Sequence, residues 1–346
     1  MRFYKKTGER LSYLGKKDRA SYAYAATRAR AMASKLIRDD DYAKFLKMDI
    51  NEVILFLEER EYKKEIDAIG AKASKIYYLE LVLNENFSNS VNSMISFTPQ
   101  NSPVRTYLMR YDIANIKTIM RGKRSKRSKS EIKLSLVPIG TLSKKTLERL
   151  IEKENERGVI EGLEKTIYYN VLKASEKKNL EEVEDALDRF YFNKVLEVAK
   201  GHKSLENLIR TEIDVKNILI ILRLRDLKTV KLGGFLIKNG KIKVEKLLEL
   251  SKLDIFEMIK LLKRESFWKY APTNTKELDK IEAGFRKYLI LEGFKLLRSY
   301  IPSFDTLLGY VIAKEREINN IRILARSKIS KNPEDALNIR AKIYLG

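Results

Sequence analysis

The amino-acid sequence predicts an all-α protein, and three observations support this. Hydrophobic residues recur at helical spacing along most of the 346 residues. Charged residues make up 34% of the chain, which is typical of helices with solvated, ion-paired faces. A ten-residue pattern occurs three times at intervals of 102 and 103 residues, which predicts three copies of one helical unit. We call these units the first, second and third repeats.

The repeated pattern lies in YDIANIKTIMRGK, IDVKNILIILRLR and EREINNIRILARSK, which we call the signature segments. Each has an acid, an asparagine three positions later, an isoleucine next to it, and an arginine near the end. The shared positions that we single out are Asp112, Asn115, Ile116 and Arg121 in the first segment, Asp214, Asn217 and Arg223 in the second, and Glu317, Asn320, Ile321 and Arg326 in the third.

A helical arrangement separates these positions onto two faces. At 100° per residue, Asp112, Asn115 and Ile116 share one face, and Arg121 points almost opposite. A buried asparagine must be hydrogen-bonded, because an unsatisfied amide costs about 1–3 kcal/mol. We therefore expect each asparagine to tie its helix to a neighbouring segment of its own repeat. A shared ligand or partner site is the alternative.

The repeats also correspond where they begin. Gly140-Thr-Leu-Ser opens the second repeat and Asn239-Gly240-Lys-Ile opens the third, each with an apolar pair spaced as a hydrophobic staple. Ser143 is a good N-cap residue. We expect an N-terminal segment at 1–20, helical repeats at 21–128, 129–230 and 231–330, and a C-terminal tail at 331–346.

The helices are predicted from periodicity and end signals. Asp39-Asp40-Asp41 is interpreted as a helix N-terminus and not a metal cluster, because acids there favour the helix dipole. Gly122 is interpreted as the C-terminus of the first signature helix. Trp268, beside Phe267, is expected to close a small apolar cluster. Helices are expected at 22–37, 40–48, 50–60, 63–83, 183–199 and 281–297.

Three segments depart from regular long helices. The Ser- and Asn-rich stretch with Pro99 and Pro103 predicts a short helix and a bend. Alternating apolar residues near 132–136 indicate an extended segment. Asn239-Gly240 indicates a possible minimal hairpin.

The chain is strongly basic, with a net charge of +23. This charge permits nucleic acid, an anionic membrane surface or acidic proteins as partners. The densest positive stretch is interpreted as a solvated loop, with contact to an acidic partner or a phosphate surface as the alternative. Its cations are Lys123, Arg124, Lys126, Arg127 and Lys129.

Composition excludes several classes of chemistry. The chain has no cysteine and one histidine, His202, so disulfides, thiol nucleophiles, His-based metal sites and Ser-His-Asp triads are excluded. Adjacent acids such as Glu58-Glu59 diverge by 100° on a helix, so they are expected to be solvated. No uncharged run suits a bilayer span. We expect no enzyme activity, cofactor or metal.

Two binding functions remain as alternatives. A nucleic-acid-binding helical protein should concentrate its cations on one face, whereas here they are interleaved with acids, as in EEREYKKEI. A peptide-binding scaffold of stacked repeats should have shorter repeats, of roughly 30–50 residues.

The phrases YAYAATRARAMASKLI, YDIANIKTIMRGK and EREINNIRILARSK resemble the C subunit of archaeal and bacterial A/V-type ATP synthases, which is related to the d subunit of the vacuolar proton pump. The resemblance covers essentially the whole chain. The second signature segment departs from it, because Leu219 stands where the others have Lys117 and Arg322. Tyr111 stands where relatives often have Trp.

The resemblance implies a funnel of three similar helical domains around a pseudo-threefold axis. It implies a non-catalytic rotor subunit, one copy per complex, between the membrane proteolipid ring and the central axle. The subunit would be peripheral on the cytoplasmic face of the membrane. Anionic lipid headgroups are expected near the basic stretch, nucleic acid is not expected, and no cofactor is implied.

Overall fold

The computed structural model describes residues 16–70, 76–225 and 232–328. All regular secondary structure within these ranges is helical, which confirms the all-α prediction. Most of the N-terminal segment and all of the C-terminal tail predicted from the sequence lie outside the described residues.

The described residues form sixteen α-helices and two short 3-10 helices. The α-helices are α1 (Lys16–Ala33), α2 (Asp39–Phe45), α3 (Ile50–Glu58), α4 (Lys63–Ile69), α5 (Ile76–Ile95), α6 (Pro103–Arg124), α7 (Lys129–Leu134), α8 (Lys144–Ile151), α9 (Glu156–Gly162), α10 (Tyr169–Lys173), α11 (Leu180–Ala199), α12 (Lys203–Leu224), α13 (Val244–Leu250), α14 (Ile255–Leu262), α15 (Leu278–Leu297) and α16 (Phe304–Ser327). The 3-10 helices are Leu232–Gly234 and Ser266–Tyr270. The signature segments lie in α6, α12 and α16.

Contacts divide the chain into two compact units. The first comprises the described residues up to Tyr191 and from Leu296 onward, and α16 packs there against α1 and α5. Ala25, Ala26 and Ala29 on α1 are fully buried, and their small side chains permit close helix packing.

The second compact unit comprises Phe192–Lys295. Its core contains the predicted aromatic cluster, in which Phe285 packs edge-to-face against both Phe267 and Trp268 with ring centroids 5.5 and 4.8 Å apart. Edge-to-face packing is favourable because the positive ring edge meets the negative ring face.

The predicted helix at 63–83 is wrong, because α4 ends before Gly70, whose φ of +65° suits glycine. The Ser- and Asn-rich stretch is also not a short helix, since it extends α5 to Ile95. Two asparagines of this helix are buried with partners: Asn84 donates to the Leu134 carbonyl, and Asn86 donates to the Glu65 carboxylate. The bend follows, and Pro103 begins α6.

Gly122 does not end the first signature helix, because α6 continues to Arg124. A Cβ at Gly122 would lie 2.5 Å from the Ile132 side chain, so glycine here allows α7 to approach α6. The extended segment predicted near 132–136 is likewise wrong: Ser128 and Glu131 form a capping box that begins α7. Asn239 has a φ of +70° in a turn without flanking strands.

Two predicted helix starts are confirmed. Asp39, Asp40 and Asp41 occupy the first turn of α2. Ser143 caps α8, and its hydroxyl accepts a hydrogen bond from the Thr146 amide at 3.1 Å.

Candidate functional site

Each signature helix buries its acid and its asparagine. Asp112, Asp214 and Asn217 have no exposed surface, Asn115 is 2% exposed and Glu317 is 3% exposed. The adjacent isoleucines Ile116 and Ile321 are fully buried, as is Asn320. The helical wheel predicts this face for the first segment. Buried polar groups need partners, so their hydrogen bonds define what the face does.

In the first signature helix, both polar side chains bind the segment that precedes α8. Asp112 accepts hydrogen bonds from the Thr141 amide at 2.5 Å and the Leu142 amide at 3.0 Å. It also accepts from the hydroxyls of Thr141 at 2.8 Å and Tyr168 at 2.7 Å. Asn115 pairs with both backbone groups of Val137 at 2.9 Å. We call this set the first loop anchor.

The second signature helix repeats the arrangement. Asp214 accepts hydrogen bonds from the amides of Lys241 at 3.0 Å and Ile242 at 3.1 Å. Asn217 pairs with both backbone groups of Ile237 at 2.8 Å. This is the second loop anchor. The loop residues bound by the two asparagines, Val137 and Ile237, lie beyond the predicted repeat boundaries at 128 and 230.

The third loop anchor binds a segment near the start of the chain. Glu317 accepts hydrogen bonds from the Ile37 amide and the Tyr62 hydroxyl, both at 2.5 Å. The Lys314 ammonium, 3% exposed, bonds to the same carboxylate at 2.6 Å. The ammonium and the hydroxyl supply the charged and hydrogen-bonding partners that a buried carboxylate requires.

The three anchored amides occupy one structural position. Ile37, Leu142 and Ile242 each stand immediately before the N-cap residue of the following helix, which is α2, α8 or α13. Each carboxylate therefore holds the start of a short helix. The shared position supports the correspondence of the repeats, whose boundaries remain a prediction.

Glycine makes the first two anchors possible. A Cβ at Gly140 would lie 2.3 Å from the Asp112 carboxylate, and one at Gly240 would lie 2.1 Å from the nearest Asp214 oxygen. No glycine precedes Ile37 in the third anchor, where the acid is a glutamate. Its longer side chain reaches a backbone that cannot approach as closely.

Two of the anchored carboxylates, those of Asp112 and Asp214, have a raised pKa. Burial raises the pKa of Asp112, although the hydrogen bonds from Thr141, Tyr168 and Leu142 act in the opposite direction. Burial raises the pKa of Asp214 to about 6, again against its two backbone hydrogen bonds. The Tyr168 hydroxyl has a raised pKa because it is buried and lies beside the Asp112 carboxylate.

The signature arginines also follow one rule, since each pairs with a glutamate on a long helix. Arg121 forms a two-point ion pair with Glu184 on α11. Arg223 bonds to Glu282 on α15 at 2.7 Å. The third pair joins Arg326 to Glu80 on α5 at 2.8 Å. Arginine suits this contact because its planar fork matches a carboxylate.

Leu219 stands where the other two signature segments have a basic residue, and the facing long helix differs at the matching position. One turn after Glu184 and Glu80, the long helices carry Asp188 and Asn84, which bind Lys117 and Arg322. In α15 the corresponding position is Arg286, which bonds to Glu282 of its own helix at 3.2 Å. That position offers no acceptor, so an apolar residue at 219 replaces the basic one.

Two further anchor residues, Tyr62 and Tyr168, lie outside the signature segments and were not predicted from the sequence. A repeated pattern marks them: VILFLEEREY (53–62), VIEGLEKTIY (159–168) and MIKLLKRESF (258–267) share two apolar residues, a leucine and a terminal aromatic residue. All these shared positions are buried. In the third copy the aromatic residue is Phe267, which has no hydroxyl.

The basic stretch is mostly paired within the chain. Arg124 bonds to Glu156 at 2.8 Å, Lys129 bonds to Glu152, and Lys123 donates to the Ile151 carbonyl. Lys126 and Arg127 are exposed and form no salt bridge in the part of the chain that the structure describes.

The anchors are suited to holding backbone and not to reaction chemistry. Their carboxylates are occupied by donors of the chain itself. Among the described residues, no group of His, Cys, Asp and Glu side chains could hold a metal ion. No helix in those ranges has the length and apolar character that crossing a bilayer requires.

Comparison with protein families matches residues 25–339 to the family described as ATP synthase (C/AC39) subunit. The chain is similar to the C subunit of the A-type ATP synthase of Methanosarcina mazei, with 32% identity covering 90% of both chains. It is 31% identical to the same-named protein of Methanosarcina acetivorans, covering 94% of both. With that of Archaeoglobus fulgidus it shares 29% identity, covering 94% of this chain and 98% of the relative. The chain therefore belongs to the ATP synthase (C/AC39) subunit family.

Proposed function

We propose that this chain is the non-catalytic central-stalk (rotor) subunit of a rotary A-type ATP synthase, coupling the membrane proteolipid ring to the central axle. The similarity to the C subunit of that enzyme over 90% of the chain carries the proposal. Ion flow turns the ring, the subunit turns with it, and the axle drives ATP synthesis; ATP hydrolysis drives the reverse. One copy serves each complex, peripherally at the cytoplasmic face of the membrane.

The buried contacts support this role. A rotor part must resist deformation, and the first two loop anchors each combine a two-point asparagine contact with a buried carboxylate. Such groups oppose displacement of a loop, because a buried donor or acceptor without a partner costs about 1–3 kcal/mol. We infer that the anchors and the arginine–glutamate pairs brace the three repeats against torque.

The net charge of +23 supports a contact with anionic lipid headgroups. The ion pairs within the chain limit which cations of the basic stretch are available for that contact. Three cations of the basic stretch are engaged within the chain. Lys126 and Arg127 remain for an external anion, and each cation near a charged membrane contributes about 1 kcal/mol within a Debye length. We propose that this pair is a peripheral lipid contact and not the main grip on the ring.

Reconstitution tests the coupling role. A complex purified without this chain is expected to hydrolyse ATP without pumping ions into vesicles. Adding the wild-type chain should restore pumping, and crosslinking should place it against both the axle and the proteolipid ring. If pumping is the same with and without the chain, the rotor proposal is wrong. Recovery of nucleic acid with no ATPase subunits from native membranes would favour the nucleic-acid alternative.

A further inference from the structure

The second loop anchor is less complete than the first. Asp112 accepts four hydrogen bonds, two from amides and two from hydroxyls. Asp214 accepts two, both from amides, within the described residues. Both carboxylates have no exposed surface. The second anchor therefore supplies half as many donors to a carboxylate that is also hidden from solvent.

Two sequence differences account for the two hydroxyl donors that the second anchor lacks. Thr141, which gives Asp112 a hydroxyl, corresponds to Lys241. Tyr168, which gives the other, corresponds to Phe267 in the buried pattern shared by 159–168 and 258–267. The third anchor keeps this donor, as Tyr62 bonds to Glu317. Phe267 thus removes from the second anchor a contact that the other two possess.

The charges around Asp214 do not restore the balance. Lys241, from the anchored loop, favours the ionised carboxylate, whereas Glu265, from the turn before the second 3-10 helix, disfavours it. Arg210, on the same helix as Asp214, donates to the Asn239 carbonyl at 2.7 Å. The Lys241 ammonium and the Glu265 carboxylate therefore act in opposite directions on a buried acid with only two donors.

We propose that Asp214 is a proton-binding site, which binds its proton more tightly while loop 237–242 is anchored than after the loop has detached. Burial disfavours the ionised carboxylate in the anchored state, whereas water stabilises it once the loop has detached. By linkage, the state that binds the proton more tightly is favoured by acid. Acidification from pH 7 to pH 5 therefore strengthens this anchor, and neutral pH weakens it. The inference goes beyond the coupling role and does not depend on it.

Carboxyl carbon NMR of the full chain labelled with ¹³C-aspartate tests the site. Asp214→Asn identifies the resonance by its disappearance. We expect the Asp214 resonance to titrate near pH 6, where burial places its pKa. Phe267→Tyr supplies the missing hydroxyl, and the midpoint should fall by about one pH unit, as a hydrogen bond to a charged group predicts.

The reciprocal variant provides the matched control. Tyr168→Phe removes the hydroxyl from the first anchor, so the Asp112 midpoint should rise by about one pH unit while the Asp214 midpoint stays unchanged. A wild-type Asp214 midpoint below that of Asp112 overturns the proposal. So does an unchanged midpoint in a folded Phe267→Tyr chain. If that variant fails to fold, the wild-type comparison of the Asp214 and Asp112 midpoints decides.

Discussion

A single methyl group at Gly140 is a severe test of the first loop anchor. The Cβ of Gly140→Ala would lie 2.3 Å from the carboxylate carbon and both oxygens of Asp112. Real Cβ atoms do not approach other atoms so closely, and Asp112 is buried with four hydrogen bonds. The loop must therefore move outward, which breaks the bonds from Thr141 and Leu142.

The magnitude follows from the bonds that the loop loses. Three hydrogen bonds from the loop reach a charged group, and each contributes about 1.5–3 kcal/mol. Water and loop relaxation recover part of this, so we expect a loss of about 3 kcal/mol, within the range of severe single substitutions. At about 2–4 °C per kcal/mol, the unfolding transition of the first compact unit should fall by about 6–12 °C in calorimetry.

A double-mutant cycle identifies the cause of the loss. Gly234→Ala is the control glycine, because a Cβ there meets nothing within 4 Å, and its effect should stay within about 0.5 kcal/mol. In an Asp112→Ala background the clashing carboxylate is gone, so Gly140→Ala should cost less than about 1 kcal/mol. An equal cost in both backgrounds would refute the close contact between Gly140 and Asp112.

Three further predictions test other parts of the structure. Asn115→Ala removes both bonds to Val137 and should lower the free energy of unfolding by about 2–3 kcal/mol, measured by thermal unfolding. The control Asn92→Ala loses an exposed bond to Pro138 and should cost under about 1 kcal/mol. Equal losses in the two variants would contradict the bracing role. Glu80→Gln weakens the ion pairs with Arg322 and Arg326 and should lower the free energy of unfolding by about 1–2 kcal/mol. The control Glu197→Gln affects an exposed pair and should cost under about 0.5 kcal/mol. Similar losses in the two variants would argue against a bracing role for the Glu80 pairs. Lys126→Gln with Arg127→Gln should weaken binding to anionic vesicles in low salt, while Lys194→Gln should not; vesicle binding unchanged from wild type would remove the lipid proposal.

The sequence predicts the polar face of the signature helices because that face is local. Spacing on one helix places Asp112, Asn115 and Ile116 together, and the helix needs no other part of the fold to do so. The entrances of the second and third repeats were also visible, because Gly140 and Gly240 stand out from helical sequence. The structure adds what these glycines contact, which is the acid of the preceding signature helix.

The partners could not be predicted from one helix alone. Asn115 binds Val137, which lies beyond the repeat boundary predicted at residue 128. The expectation that its partner belongs to the same repeat had no information about contacts between segments. The roles of Tyr62 and Tyr168 were not predicted, because the acids that their hydroxyls bond lie on helices distant in the sequence. The extension of α5 was missed because buried Asn84 and Asn86 look like loop residues until their partners are known.

Each signature helix connects two other helices, so a force applied to one of them is transmitted to the other. Each binds the start of a short helix with its acid and a long helix with its arginine, as Asp112 and Arg121 do with Leu142 and Glu184. These contacts act on opposite faces of the helix, since Arg121 is 63% exposed at its side chain while Asp112 is buried. A force on either partner is therefore opposed by the other through one continuous helix. Weakening a single contact should make the anchored segment easier to displace. We expect this first at the second loop anchor, where Asp214 accepts fewer hydrogen bonds than Asp112 within the part of the chain that the structure describes.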